Sequence, residues 1–170
     1  MLLKVKGEKP MKKPLIITLS IVLVIVVVGV ILFSLINKDK PSITAEEFKS
    51  TMEEKGYYVK DVTAQFANYG YIKKPYVAAS QDNAYQVEFY EISDSEHASK
   101  FFNTNKAIFE ASKGSISAET NIGFRNYSKY TLQSNNKYQI VSRINSTVIF
   151  VDVDSKYKDT IDKLLNEIGY

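Results

Sequence analysis

The strongest constraint on the fold of this chain is an uncharged apolar segment near its N-terminus. Residues 15–36 read LIITLSIVLVIVVVGVILFSLI, 22 residues with no charge and no proline. A helix rising about 1.5 Å per residue would make the segment roughly 33 Å long, enough to cross a hydrocarbon core of about 30 Å. Backbone polar groups in lipid must be satisfied within the segment, so its many β-branched residues do not prevent a helix. We therefore predict a transmembrane signal anchor over residues 15–36.

The residues around this segment favour an uncleaved anchor and set its orientation. A cleaved signal peptide has an apolar region of about 7–15 residues followed by a small-x-small cleavage site, a pattern that the sequence lacks after Phe33. Five lysines precede the segment, whereas only Lys38 and Lys40 follow it. By the positive-inside rule, residues 1–14 form a cytoplasmic Lys-rich tail and the C-terminal domain is extracytoplasmic. The expected location is the cell membrane, with a single pass.

The distribution of charge argues against a nucleic-acid partner. Residues 1–40 carry seven lysines and two acidic residues, a net charge of +5, and because the whole chain carries +3, residues 41–170 carry −2. A domain that binds nucleic acid would instead concentrate lysine and arginine on one face of the fold. The membrane is the partner that the basic tail predicts, since such a tail also attracts anionic lipid.

Composition limits the chemistry that is open to the chain. With no cysteine there is no disulfide, no thiol nucleophile and no cysteine zinc site. The single histidine leaves little room for a multi-histidine metal centre. We expect neither a metal nor a cofactor.

Residues 37–43 form a short polar linker, and an extracytoplasmic domain is predicted over residues 44–170. Thr44 and Glu47 have the spacing of a capping box, and Gly56 is the residue type favoured just past a helix end, which predicts a first helix over Ala45–Lys55. Because the linker is short, the domain is expected to lie close to the membrane surface.

The remainder of the domain alternates groups of strands with helices. Two segments, Ala67–Pro75 and Ser115–Gly123, are predicted to be loops. A second helix is predicted to open with a Ser93–Glu96 capping box and to close at Gly114, and a last one to run from a cap at Asp154 or Ser155 to Gly169. The predicted strands are Tyr57–Phe66, Tyr76–Ser80, Ala84–Ile92, Phe124–Gln133, Lys137–Ile144 and Thr147–Val153. The order α-βββ-α-βββ-α predicts a two-layer α+β domain, with an antiparallel sheet of about 5–6 strands and helices on one face.

Short motifs with catalytic or metal-binding associations have better structural explanations. Ser134 and Lys137 match Ser-x-x-Lys but lie in a predicted hairpin turn, without the companion motifs of penicillin-recognising enzymes. Asp152 and Asp154 begin a sequence like a calcium loop that lacks the required glycine, and Asp154 is better explained as a helix cap. His97, in the first turn of the second helix, is expected to be an exposed helix residue. No catalytic constellation is recognisable, so the sequence does not predict an enzyme.

Tyrosine is the most suggestive feature of the domain. The chain has 12 tyrosines, and the loop from Asn68 to Tyr76 places three of them beside a glycine and two lysines. Tyrosine combines apolar area with a polar tip, which suits contact with a sugar or a protein partner. These rings could instead simply cover the sheet, because tyrosine favours strands. The sequence predicts a contact loop formed by Tyr69, Tyr71, Lys73, Lys74 and Tyr76.

The segment Tyr90–Phe102, YEISDSEHASKFF, is a strand-into-helix junction preceded by a lysine tail and a single anchor. This layout resembles that of uncharacterised single-pass, signal-anchored proteins of low-GC Gram-positive bacteria with a small exported α+β domain. The resemblance covers architecture and implies no catalytic residues.

The leading hypothesis from the sequence is a membrane-tethered extracytoplasmic binding or interaction module, with a membrane protein or a cell-wall component as partner. Two alternatives stay open: a cell-envelope hydrolase that uses dispersed carboxylates, and an accessory or sensor subunit of a membrane complex.

Overall fold

A computed structural model describes residues 24–30 and 38–170, and the chain divides into two units, residues 1–38 and 39–170. Residues 24–30, which belong to the predicted anchor, are helical. The rest of the predicted span lies outside the described residues. Within the described ranges, no helix is long and apolar enough to cross a membrane. The anchor therefore stays a prediction.

The second unit contains three α-helices and seven strands in the order α-βββ-α-ββββ-α, which confirms the α+β class. It also contains two short 3-10 helices, Thr63–Phe66 and Ser155–Tyr157. The α-helices are α1 (Ala45–Glu54), α2 (Ser95–Ala111) and α3 (Lys158–Glu167). The strands are β1 (Tyr58–Asp61), β2 (Ile72–Ala79), β3 (Gln86–Ile92), β4 (Ser117–Phe124), β5 (Tyr127–Ser134), β6 (Lys137–Ile144) and β7 (Thr147–Asp154).

The seven strands form one sheet in the order β1-β2-β3-β7-β6-β5-β4, and every neighbouring pair is antiparallel. The first three strands make one meander and the last four make another. Helix α2 carries the chain from β3 to the far edge, so β7 returns to the centre beside β3. In this central pair Phe89 lies opposite Ile149, and Tyr90 lies opposite Val148.

Helices cover both faces of the sheet, so the predicted two-layer arrangement with helices on one face is wrong. On one face, Phe89 and Ile149 belong to a buried cluster with side chains of α1 and α3. On the other face, Tyr90 and Val148 belong to a second cluster with Phe102 of α2. Successive residues of a strand point to opposite faces, so the central strands are buried on both faces. The domain is a three-layer α/β/α sandwich.

The sheet also has one strand more than the upper limit of the prediction. Residues 115–123, expected to be a loop, contain most of β4, which pairs along its whole length with β5 from Ser117 opposite Ser134 to Phe124 opposite Tyr127. Nearly all of β4 is exposed, and its sequence SAETNIGF has no alternation of apolar and polar residues. Backbone pairing at the sheet edge holds this strand, and that pairing leaves no hydrophobic signature in the sequence.

The helix ends agree with the sequence at α1 and differ at α2. The capping box of Thr44 and Glu47 is confirmed in both of its hydrogen bonds, and Gly56 follows the helix with φ of 84°. At α2 the N-cap is Asp94, whose carboxylate accepts a hydrogen bond from the His97 amide, so the predicted Ser93–Glu96 box is wrong. The aspartate offers a charged acceptor at the helix N-terminus, where backbone N–H groups are unsatisfied.

The face under α1 is held by large aromatic side chains, and its central contact is a ring stack. Phe48 of α1 lies over Phe89 with ring centroids 4.8 Å apart, and both side chains are fully buried. Replacing Phe89 with alanine should lower the free energy of unfolding by about 3–5 kcal/mol, because it removes buried apolar area and leaves a cavity. Chemical denaturation of the variant measures the loss. The control Ile116→Ala, at a side chain that is 89% exposed, should stay within about 0.5 kcal/mol of the wild type; equal losses in both variants would contradict this assignment of the core.

Candidate binding site

A cavity of about 420 Å³ opens on the α2 face of the sheet, between the segment that leads into β2 and the first turns of α2. Its walls are mainly aromatic, and its polar groups come from α2. The lining residues are Phe66, Tyr69, Tyr71, Ile72, Tyr90, His97, Lys100, Phe101, Thr104 and Asn105. We call it the aromatic cavity.

Two consecutive turns bring the first rings of the aromatic cavity together. The predicted strand Tyr57–Phe66 ends at Asp61, whose carboxylate accepts a hydrogen bond of 2.8 Å from the Thr63 amide as the chain enters a 3-10 helix. The Tyr69 amide then donates to the Phe66 carbonyl at 2.8 Å, and the Ile72 amide donates to the Tyr69 carbonyl at 2.9 Å. The ring centroids of Phe66 and Tyr69 lie 6.2 Å apart as a result.

The junction of β3 and α2 supplies the opposite wall. The Ser93 amide donates to the Tyr71 carbonyl at 2.8 Å, which fixes the loop against the start of the helix. The Tyr71 ring stacks on the His97 imidazole, with centroids 5.3 Å apart and planes within 18°. One turn further along α2, the Phe101 ring lies 4.8 Å from that of Tyr90. Rings from two separate segments therefore enclose the space.

Tyr90 forms the floor of the aromatic cavity. Its side chain is buried, with 6% of its area exposed, and its ring lies edge-on to Phe66 at 5.5 Å. Its hydroxyl donates to the Glu88 carboxylate. Burial, together with the negative charge of Glu88, raises the pKa of Tyr90 well above its ordinary value. The floor is therefore a neutral phenol at physiological pH.

His97 is oriented by the carboxylate that caps its helix. Asp94 accepts hydrogen bonds from the His97 amide at 2.9 Å, from the Ser93 hydroxyl at 2.8 Å and from His97 Nδ1 at 2.8 Å. These bonds lower the pKa of Asp94 far below its usual value, so its carboxylate is ionised and can only accept. Nδ1 must then carry the proton of a neutral His97, which leaves Nε2 as the ring's acceptor.

Lys100 and Asn105 supply polar groups at the rim. Lys100 pairs with Glu96 one turn earlier on α2 at 2.7 Å, and both side chains are exposed. The Asn105 amide nitrogen donates to the Phe101 carbonyl at 2.8 Å, so its oxygen is the part that remains for a ligand. The cavity therefore combines flat apolar walls with hydrogen-bonding groups at one side, the usual composition of a small-ligand site.

The structure separates the residues of the predicted contact loop. Tyr69 and Tyr71 line the aromatic cavity, and the Lys73 ammonium donates to the Gly70 carbonyl at 2.7 Å. Lys74 instead pairs with Glu46 of α1 at 2.9 Å, and Tyr76 lies buried in the core under α1.

The reason for this separation is the start of β2. The predicted loop Ala67–Pro75 ends early because the strand begins at Ile72, and a β-bulge between Ile72 and Lys74 then places Lys74 and Tyr76 on the face opposite to Ile72. The contact role of the loop stays a prediction, and it concerns the residues up to Tyr71.

Sequence reasoning missed eight of the ten residues that line the aromatic cavity, among them the rings of Phe66, Tyr90, His97 and Phe101. His97 was expected to be an exposed helix residue, whereas its ring is partly covered by Tyr71. The only available signal was the run of aromatic residues on both sides of the β3–α2 junction. Nothing in the sequence indicated that the loop containing Tyr69 and Tyr71 would pack against that junction.

The described part of the chain offers little support for catalysis. It contains no group of three or more histidine, aspartate or glutamate side chains that could hold a metal ion. Each described carboxyl group whose pKa departs from its ordinary value has that pKa lowered. A carboxyl group acting as a general acid needs a raised pKa, so the hydrolase hypothesis gains no support from these residues.

Comparisons with known proteins add no family. No protein-family model matches the sequence, and no curated protein or solved structure matches it. Functional inference therefore depends on the geometry of the sites themselves.

We predict that the Asp94–His97 pair stabilises the folded domain and that this stabilisation is lost in acid. The pKa of Asp94 is lowered in the folded state, so its contribution is complete above the unfolded value of about 3.9 and is lost as pH falls below it. Asp94→Asn should therefore melt below the wild type at pH 7, and the difference in melting temperature should shrink between pH 4 and pH 2. Thermal unfolding across this range checks it, with Asp159→Asn as a fully exposed control. A difference that is independent of pH would contradict the role given to the carboxylate.

Proposed function

We propose that this protein is a membrane-tethered extracytoplasmic binding module and that the aromatic cavity is its binding site. The observation that carries the proposal is a cavity of about 420 Å³ enclosed by rings of the loop containing Tyr69 and Tyr71 and by rings of α2. Tyr69 is 50% exposed although it contributes to an aromatic cluster. Partly exposed tyrosines around a concave surface are typical of recognition sites.

The shape and chemistry of the aromatic cavity favour a ring-shaped group with an apolar face and a polar edge. A sugar ring of a cell-wall glycan has this character, since its face can lie on Tyr69 or Tyr71 while its hydroxyls reach His97 and Asn105. An aromatic or aliphatic side chain of a membrane-protein partner would use the same walls. Binding is the function proposed here, because the hydrolase alternative needs carboxyl groups and the lining of the aromatic cavity contains none.

The membrane tether is supported by the sequence. The 22-residue uncharged segment and the excess of lysine before it favour a single anchor with the C-terminal domain exported. A tether raises the effective concentration of the domain toward other membrane proteins and toward the adjacent wall. A site of modest intrinsic affinity is sufficient under those conditions.

Binding can be tested directly because the chain has a single histidine. Full-length protein with isotope-labelled histidine, held in amine-oxide detergent micelles, gives one imidazole signal, and this signal reports on the aromatic cavity. Titration with an N-acetylglucosamine trimer should shift it saturably. In a Tyr69→Ala, Tyr71→Ala double variant the affinity should fall at least tenfold, because both stacking surfaces are lost.

Tyr58→Ala is the matched control, since Tyr58 is 65% exposed and lies outside the aromatic cavity. Tyr76 is left unchanged because it is a core residue. A photo-reactive benzoyl-phenylalanine at position 69, used in intact cells, identifies a protein partner if the glycan does not bind. The proposal is refuted if the glycan does not shift the histidine signal and, in addition, no cross-link forms that is lost in a Tyr71→Ala variant.

The tether can be tested by chemical labelling, because the chain has no native cysteine. A cysteine introduced for Asn103, on an exposed part of α2, should react with a membrane-impermeant maleimide in intact cells. A cysteine introduced for Lys6 should react only after lysis. Labelling of Lys6→Cys in intact cells, with Asn103→Cys protected, would reverse the predicted orientation.

A further inference from the structure

A second concavity, of about 510 Å³, lies on the opposite face of the sheet beside α3. Helices α1 and α3 cover the central strands there, whereas β4 is almost wholly exposed. We call this concavity the lysine groove. Tyrosines, hydroxyl and amide side chains, Ala118 and Ile122 line it together with five charged residues: Lys40, Glu119, Lys129, Lys158 and Asp162.

Lys129 lies on β5 with its ammonium drawn into the lysine groove. Its side chain is partly buried, and its nearest acceptor is the main-chain oxygen of Tyr170 at 3.4 Å. Burial lowers the pKa of Lys129; Asp162 raises it in part, and repulsion from Lys40 lowers it again. The site therefore holds a cation at some electrostatic cost.

Lys40 reaches the same groove from the segment before α1. Asn126 fixes its backbone on both sides, accepting from the Lys40 amide at 3.0 Å and donating to the Lys40 carbonyl at 2.7 Å. The ammonium lies over the Tyr127 ring, 4.0 Å from the centroid. Burial lowers the pKa of Lys40 as well. Lys40 and Lys129 thus place two cations in the same groove.

The acidic residues near the lysine groove are already engaged. Asp162 accepts from Lys158 at 2.6 Å and from the Tyr138 hydroxyl. Glu119 bonds to Lys113 and to the hydroxyl of Tyr130, which belongs to the opposite face. Across the described residues, neither Lys40 nor Lys129 has an aspartate or glutamate oxygen within 4 Å.

We propose that the lysine groove is a binding site for a phosphate group, contacted by Lys40 and Lys129. The negative charge of a bound phosphate would offset the repulsion between the two ammonium groups, and lysine is a common phosphate contact because it acts as a point charge. The side chains of Thr131 and Asn166 in the groove add hydrogen-bonding groups for the oxygens or for the rest of the ligand. The phosphate can come from a phospholipid headgroup or from a soluble phosphate ester.

The test uses full-length protein in amine-oxide micelles, which contain no phosphate, with lysine labelled by ¹³C at Cε. The Lys129 signal is identified by its absence in Lys129→Gln. Inorganic phosphate should shift it saturably, and Lys40→Gln should weaken phosphate binding about tenfold, the usual effect of losing one charged hydrogen bond. Lys163→Gln, at an exposed position of α3 outside the groove, should leave the affinity within twofold of the wild type. The His97 signal should not move, because the aromatic cavity lies on the other face.

A second arm distinguishes the source of the phosphate. Phosphatidylglycerol added to the micelles should shift the Lys129 signal at a much lower concentration than inorganic phosphate if the ligand is a lipid headgroup. A response to inorganic phosphate alone supports a soluble phosphate ester. The proposal is overturned if neither addition shifts the signal, or if Lys40→Gln and Lys163→Gln bind phosphate as well as the wild type does. Lys40 precedes α1, so its variant tests the site even if Lys129→Gln destabilises β5.

Discussion

The antiparallel pairing of β3 with β7 is the interaction on which the rest of the domain depends. Within the described residues, it is the place where the two meanders join into one sheet. The pair carries both cores, because Phe89 and Ile149 face α1 and α3 while Tyr90 and Val148 face α2. Both sites described above depend on it indirectly: Tyr90 is the floor of the aromatic cavity, and the β4–β7 meander forms the base of the lysine groove.

The sequence was sufficient to predict the elements whose side chains show a capping motif or a strand pattern. Strand β6 was predicted with the observed bounds, and the capping box of α1 and the glycine after it were confirmed. The layer arrangement was wrong although a signal for it existed. The run 148–151 around Ile149 is apolar without alternation, which is typical of a strand buried on both faces. Strand β4 left no such signal because backbone pairing holds it at the edge.

The candidate site was predictable in part, because only some of its residues belong to a local sequence pattern. Clustering of tyrosine and lysine pointed to the loop that contains Tyr69 and Tyr71, and both residues do line a cavity. Tyr76 and Lys74 were included because the start of β2 was placed too late, and the β-bulge after Ile72 puts them on the other face. The partners of the loop, His97 and Phe101, come from a helix that packs there only after the chain has crossed the sheet. No local pattern encodes that packing.

The central pairing joins residues that are far apart along the chain, since Phe89 and Ile149 are separated by 60 positions. During synthesis the β1–β3 meander therefore leaves the ribosome before its partner strand exists. Until β7 follows, β3 presents an unpaired backbone edge and apolar side chains on both faces, which is a template for aggregation. Pairing over such a distance also makes closure of the sheet slow relative to local hairpins. In the nascent chain β3 is thus exposed, although in the folded domain it is the central strand and is buried on both faces. Holdase chaperones should therefore engage the nascent chain at β3.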